Sequence, residues 1–239
     1  SIKLIHEFDD TLSGYISHST GFKAISTNLG ANATVYAGLP MDPSIYFANP
    51  EEAENFEVGF KKTFSNGYLN MSIFHMAVEG YQSNLFIGTG FNLVNIGEQT
   101  NKGVEIDSLF FLSENFVLTF AASYIDSTYN DFKNGPCDRT FVPPASDDCP
   151  IVNGGPARVK DFTGRRPSGV PELAVTVSGT YTFNLTENMT GYIRGEYVYE
   201  DEYQATDAVP VEVPGALRKV GTLNASLGVK DSASGFSLM

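Results

Sequence analysis

The sequence predicts an all-β chain, a section of a transmembrane antiparallel β-barrel, and three observations lead there. The connections are sorted by length. Five short polar turns (Asp9-Asp10-Thr11, Ser65-Asn66-Gly67, Ser113-Glu114-Asn115, Thr186-Glu187-Asn188 and Asp231 to Gly235) alternate with four long excursions over roughly residues 25–52, 84–90, 130–168 and 202–217. Tight turns on one side and long loops on the other are the layout of an outer-membrane barrel, and a soluble sandwich has no reason to sort its connections in this way. The runs between turns alternate strictly. Leu173, Val175, Val177, Gly179, Tyr181 and Phe183 take one parity, and Glu172, Ala174, Thr176, Ser178, Thr180 and Thr182 the other. That is the two-residue period of a pleated strand with one apolar and one polar side. The runs are also long, often a dozen residues or more. Soluble strands average about 5–6 residues, whereas a tilted strand crossing a bilayer needs about 9–11.

Taken in order, Ser1 to Phe8 reads as the tail of a strand entering the first turn. Phe56, Val58 and Phe60 oppose Asn55, Glu57, Gly59 and Lys61 in the next clear case. Phe116, Leu118, Phe120, Ala122 and Tyr124 oppose Val117, Thr119, Ala121 and Ser123. Leu223, Ala225, Leu227 and Val229 oppose Thr222, Asn224, Ser226 and Gly228, and Phe236 to Met239 begins a strand that is not completed. The count is about eight complete strands with partial strands at both ends, which predicts a contiguous section of a larger barrel, because a membrane does not tolerate open sheet edges. Aromatic residues gather at run ends. Phe64, Tyr68, Phe111, Phe116, Phe183 and Phe236 lie at the short turns, and Tyr81, Tyr124, Tyr129, Tyr197, Tyr199 and Tyr203 at the far ends. Two such belts fit the two interfaces of a bilayer.

Composition narrows the partners. The net charge of −13 argues against a nucleic-acid partner, which would call for a basic stripe. It suits loops exposed outside the cell, or simply soluble loops. No apolar run approaches the ~18 residues of a membrane helix, and a barrel needs none. Cys137 and Cys149, both in the longest excursion, are expected to form a disulfide, which requires an oxidising compartment. Closing a loop of that size removes on the order of 3 kcal/mol of chain entropy. A metal site is disfavoured, because there is no Cys-x-x-Cys and the histidines His6, His18 and His75 are scattered. No dinucleotide fingerprint, nucleophile elbow or zinc-protease motif occurs, so neither an enzyme nor a cofactor is expected. The sequons at Asn32, Asn70, Asn184, Asn188 and Asn224 fall mostly on expected strands or short turns and are read as chance.

Three stretches carry a family resemblance. Tyr15-Ile16-Ser17-His18-Ser19-Thr20-Gly21-Phe22-Lys23 resembles the Tyr-x-Ser-x-Ser-x-Gly-Phe-Lys run of TonB-dependent outer-membrane receptors. Pro50-Glu51 through Asn55-Phe56-Glu57-Val58-Gly59-Phe60-Lys61 is similar to the Pro-Glu-x-x-x-Asn-Tyr-Glu-x-Gly-x-Lys strand of that family. Asn95-Ile96-Gly97-Glu98 followed by Gly103-Val104-Glu105-Ile106-Asp107 resembles its Asn-x-Gly…Gly-x-Glu strand. The departure is Ile25-Ser26-Thr27-Asn28, where many members continue with glycines and Phe-Asn. The resemblance covers the whole chain, 1–239, as the later part of a 22-stranded barrel whose lumen holds an N-terminal plug domain. It implies a bacterial outer-membrane receptor that binds a scarce small molecule, with iron–siderophore complexes foremost, and imports it with energy from the TonB–ExbB–ExbD complex. Outer-membrane lipid and lipopolysaccharide would surround it. A passive porin-like diffusion channel is the main alternative, followed by a structural or adhesive barrel and, more distantly, a hydrolase.

Two residue sets follow. Glu57, Lys61, Glu105, Asp107, Arg194, Glu196 and Glu200 have lumen parity, because a charge against lipid at mid-depth costs roughly 2–4 kcal/mol. They serve either plug contact and solute guidance or cross-strand ion pairing. The ligand-facing candidates are aromatic and basic loop residues: Tyr36, Tyr46, Phe47, Phe86, Phe91, Phe132, Phe141, Arg158, Arg165, Arg166 and Tyr203. The alternative for each is ordinary loop packing.

Overall fold

Alternation over a dozen residues forces each long run into an extended strand, and the chain is built almost entirely from such strands. The computed structural model describes residues 1–27, 46–87, 90–133, 135–136, 159–207, 211, 213–231 and 233–238. The strands are β1 (Ile2–Asp9), β2 (Leu12–Lys23), β3 (Ser26–Thr27), β4 (Phe47–Ala48), β5 (Glu51–Phe64), β6 (Gly67–Glu79), β7 (Gln82–Ile87) and β8 (Gly90–Asn95). There follow β9 (Glu98–Ser113), β10 (Phe116–Asp131), β11 (Gly135–Pro136), β12 (Val159–Lys160), β13 (Leu173–Asn184), β14 (Met189–Gln204), β15 (Leu217–Asp231) and β16 (Ser237–Leu238). Ten of them form one sheet in the order β1-β2-β5-β6-β9-β10-β13-β14-β15-β16, each antiparallel to its neighbours. The expected eight complete strands are β2, β5, β6, β9, β10, β13, β14 and β15, of 12 to 16 residues, with shorter β1 and β16 at the two edges. The edges do not pair with each other, so the barrel is not closed within this chain.

The five short turns form where expected, and their polar side chains explain how. Asp9 Oδ1 accepts from the amides of Thr11 at 2.7 Å and Leu12 at 2.9 Å. Asp231 accepts from the Ala233 amide at 2.9 Å and the Ser234 hydroxyl at 2.7 Å, and Thr186 Oγ1 accepts from the Met189 amide at 3.1 Å. Side-chain oxygens replace the ladder partners that the turning backbone loses. At the opposite end run loop 1 (residues 24–50), loop 2 (80–97), loop 3 (132–172) and loop 4 (205–216). Loop 2 is longer than the expected excursion over 84–90, because β7 and β8 extend it as a hairpin with Phe86 opposite Phe91.

Burial is inverted relative to a soluble protein. Val58, Ile73, Ile193, Leu223 and Leu227 are 54 to 75% exposed, while Ser127 and Ser178 are 1% and 2% exposed. Register places the apolar residues on one face: Ile16 pairs with Val58, Val58 with Ile73, and Ile193 with Leu227. A continuous apolar surface across ten strands is a lipid-facing wall. Near the loop ends that face turns polar, with His18 Nε2 2.8 Å from Glu54 and Lys102 Nζ 3.1 Å from Asp126. The strands thus outrun the ~9–11 residues that span the hydrocarbon.

The belt of tyrosines expected at the loop ends needs correction. Tyr124 and Tyr197 are 49% and 45% exposed, as an interfacial belt requires. Tyr129 is 4% exposed inside a cluster with Ile96, Phe132 and Phe162, and Tyr81 packs against that cluster. Tyr203 has inward parity and donates to Glu200 Oε2 at 3.3 Å. The hydrophobic core of this chain therefore lies among the loop bases. The lumen side of the wall is polar, so apolar side chains above the membrane have only each other to pack against.

Candidate functional site

The inner face and the loop mouth are the surfaces where function can reside. Residues of lumen parity on β2, β5, β6, β9, β10 and β13 line one recess that includes Tyr15, Glu57, Lys61, Glu105, Asp107 and Thr176. Every strand-borne charge assigned to the lumen has that parity: Lys61 pairs across with Asn70, Asn70 with Asp107, Thr180 with Arg194, Ser178 with Glu196 and Ala174 with Glu200. Their contacts are mostly to uncharged donors. Tyr15 Oη donates to Glu57 at 2.5 Å, and Asn70 Nδ2 donates to Asp107 at 3.2 Å. Among the described residues, the ion pair within this set is Arg194–Glu196 at 2.8 Å, which runs along β14 and not between strands.

Glycine shapes this wall at one telling place. Tyr15 is the cross-strand partner of Gly59, and a Cβ on Gly59 would lie 2.7 Å from the tyrosine ring. The bare glycine lets the ring lie flat along the wall with its hydroxyl at Glu57.

At the mouth, the described candidates take varied positions. Phe47 is 48% exposed on β4, and Tyr46 immediately precedes it and is half-buried. Phe132 is 3% exposed within the aromatic cluster, so it serves loop packing and presents no face to a solute. Arg165 stacks its guanidinium 4.4 Å above the Phe162 ring. Arg166 donates to the Ile125 carbonyl at 3.1 Å and pairs with Glu172, fastening the base of loop 3 to β10. Both arginines are thus engaged in holding loop 3. Tyr36, Phe141, Arg158, Cys137 and Cys149 lie outside the described residues.

Sequence reasoning gave no site role to Gln82, Asn95, Phe162 or Asp207. Gln82 is 5% exposed and joins loop 2 to loop 1, with Nε2 donating to the carbonyls of Ala24 at 3.0 Å and Asn49 at 2.8 Å. Asp207, in loop 4, is half-buried, and the loss of solvent pushes its carboxyl above the ordinary carboxylate range despite a hydrogen bond with Ser168 and the nearby Arg165. Asp161 is the opposite case: the Thr163 hydroxyl and amide hold its exposed carboxyl below that range. The only local signal for any of these was Asn95, in the Asn-Ile-Gly-Glu stretch.

A polar face, an apolar face and four long loops at one end match a known architecture. The family described as TonB dependent receptor-like, beta-barrel matches residues 1–237. The chain belongs to the TonB-dependent receptor β-barrel family. It is accordingly a bacterial outer-membrane chain, with the family and fold of transport receptors. The fold agrees with solved receptors at low identity. The ferric yersiniabactin uptake receptor FyuA from Yersinia pestis superposes with a TM-score of 0.62 at 15% identity, over 95% of this chain. The siderophore receptor PiuA from Acinetobacter baumannii gives 0.59 at 17% identity over 96%. The copper transporter OprC gives 0.56 at 12% identity over 95% of this chain and 30% of its own. The chain spans 28% of the length of FyuA and of PiuA. No curated protein matches it. The recess lined by Glu57, Lys61, Glu105 and Asp107 lies on the polar face of the sheet, and loops 1–4 share one end of it.

Proposed function

We propose that this chain supplies part of the wall, lumen face and ligand-receiving loops of an active importer. The receptor binds a scarce small molecule at the cell surface and imports it with energy from the TonB–ExbB–ExbD complex, acting through a plug domain seated against the inner wall. The observation that carries this reading is the division of the strands into an apolar outer face and a polar, charge-bearing inner one, beneath four long loops on a single side. Iron–siderophore complexes are the favoured ligand class, supported by the names of the receptors that share the fold. Contacts come from Tyr36, Tyr46, Phe47, Phe86, Phe91, Phe141 and Arg158 of the loops and from Tyr203 at the loop end of β14, with Arg165 and Arg166 supporting loop 3. Lumen charges such as Glu57 and Glu105 face the plug.

The test is uptake. The full receptor is expressed in a host stripped of its own ferric-chelate receptors, and radioactive iron is supplied on a panel of siderophores with and without TonB. TonB-dependent accumulation from at least one chelate is expected. Accumulation that persists without TonB would instead indicate a passive channel. Deleting Asp138 to Arg158 should abolish uptake while the barrel stays in the membrane, and unchanged ligand affinity in that deletion would remove loop 3 from the binding site.

A further inference from the structure

We propose that the bases of the four long loops form one interlocked collar, in which Gln82, Asn95 and Phe162 are positioning residues that hold the ligand-facing segments in a single arrangement. The links can be followed from loop to loop. Between loops 1 and 2, Gln82 is a hub. Its side-chain amide donates to the Ala24 and Asn49 carbonyls, its Oε1 accepts from Ser26 Oγ at 2.9 Å, and its backbone amide donates to Glu51 Oε2 at 2.8 Å. Asn95 repeats the clamp from the other arm of loop 2. It accepts from the Asn49 amide at 2.7 Å and donates to the carbonyls of Asn49 at 3.0 Å and Gly80 at 2.6 Å. Gly80 lets loop 2 leave the sheet this closely: its φ is +62°, and a Cβ there would lie 2.9 Å from the Pro50 carbonyl.

Between loops 2 and 3 the link is apolar. Ile96 of loop 2 is 1% exposed against Tyr129, Phe132 and Phe162, and Phe162 is fully buried. Phe132 lies edge-on to both Tyr129 and Phe162, at centroid distances of 4.9 and 5.3 Å. The backbone closes around them, with the Phe162 amide donating to the Phe132 carbonyl at 2.7 Å and the Ile96 amide to the Tyr81 carbonyl at 2.7 Å. Loop 3 is fastened to the end of β14, where the Gly169 amide donates to the Gln204 carbonyl at 2.8 Å, and the link to loop 4 itself is Asp207, which hydrogen-bonds Ser168 beside Arg165. A buried amide with every polar atom engaged and a buried aromatic cluster both resist piecemeal opening, because removing one partner leaves the others unsatisfied or unpacked. The collar therefore opens as a unit.

Its role in ligand reception rests on the proposed function, but the coupling does not, and the test separates them. Hydrogen exchange is measured on the full receptor in lipid vesicles, without ligand, for wild type, Phe162→Ala and Gln82→Leu. Phe162→Ala should raise exchange on the order of tenfold or more, the change that about 1.4 kcal/mol of lost local stability produces. The rise should appear at residues 160–166 and also at 80–84, 95–97, 24–27 and 47–49. Gln82→Leu should raise exchange in loop 3 as well as in loops 1 and 2. Exchange that rises only within the loop carrying the substitution would overturn the collar. Phe162→Leu, which keeps most of the ring's volume, should show the same spread at smaller amplitude, and serves if the alanine variant fails to assemble. A receptor that transports nothing yet shows the spread would sink the transport reading alone.

Discussion

At the residue scale, single atoms decide how this wall and mouth are built. The Tyr15 ring occupies the space over Gly59 and reaches Glu57. Gly59→Val would force the ring out and break that hydrogen bond, at a cost of roughly 1–3 kcal/mol. Heat-modifiability of the folded receptor on gels should show the lower unfolding temperature, and a wild-type transition would mean that the ring relocates freely. Asp207 gives a pH dependence. Burial holds its carboxyl above the ordinary range, so the docked state of loop 4 binds a proton more tightly than the free loop does. Docking therefore strengthens as pH falls from neutral through the raised value, and gains nothing further below the ordinary carboxylate value of about 3.9. Exchange at residues 205–207, corrected for intrinsic rates, should slow over that window, and Asp207→Asn should flatten the response. An equal response in both proteins would show that another group is responsible.

At the element scale, each strand carries two environments one residue apart. In the middle of β15, Leu223 is 75% exposed on the lipid side, while Asn224 pairs with Glu196 on the lumen side. Leu223→Arg should destabilise the receptor by roughly 2–4 kcal/mol, whereas Asn224→Arg, which meets water and the Glu196 carboxylate, should cost almost nothing. Equal losses in denaturant titrations of the two would reverse or abolish the assigned faces. The elements also show where periodicity misleads. Tyr124 and Tyr129 lie on the same strand, β10, yet Tyr124 is exposed on the outer face and Tyr129 is buried, because they differ in parity and Tyr129 packs against Phe132 and Phe162 of loop 3.

For the whole molecule, the governing fact is a ten-stranded sheet with two unpaired edges, β1 and β16. Unpaired backbone groups in hydrocarbon cost several kcal/mol each. The 239-residue chain refolded by itself into vesicles should therefore not yield a protease-resistant monomer, whereas the receptor with its remaining strands should. A resistant monomer from this chain alone would mean that β1 and β16 can close on each other.

The sequence alone determined the sheet, its faces and its sidedness. Leu173 to Phe183 alternates because lipid and lumen each demand one side-chain chemistry, and Asp9, Ser113 and Asp231 mark tight turns because their side chains cap them locally. These are short-range rules written residue by residue, so the inward parity of Glu57, Asp107 and Arg194 was legible as well. The mouth was not. Gln82 reads as one more polar loop residue until the fold brings Ala24 and Asn49 to it across 58 and 33 positions of chain. Phe132 and Arg165 have the composition of ligand contacts, and only the tertiary structure shows them engaged by Phe162. Loop bases above a polar lumen have no periodic environment to impress a pattern on their residues. What each side chain does there is decided by which distant segment the barrel sets beside it.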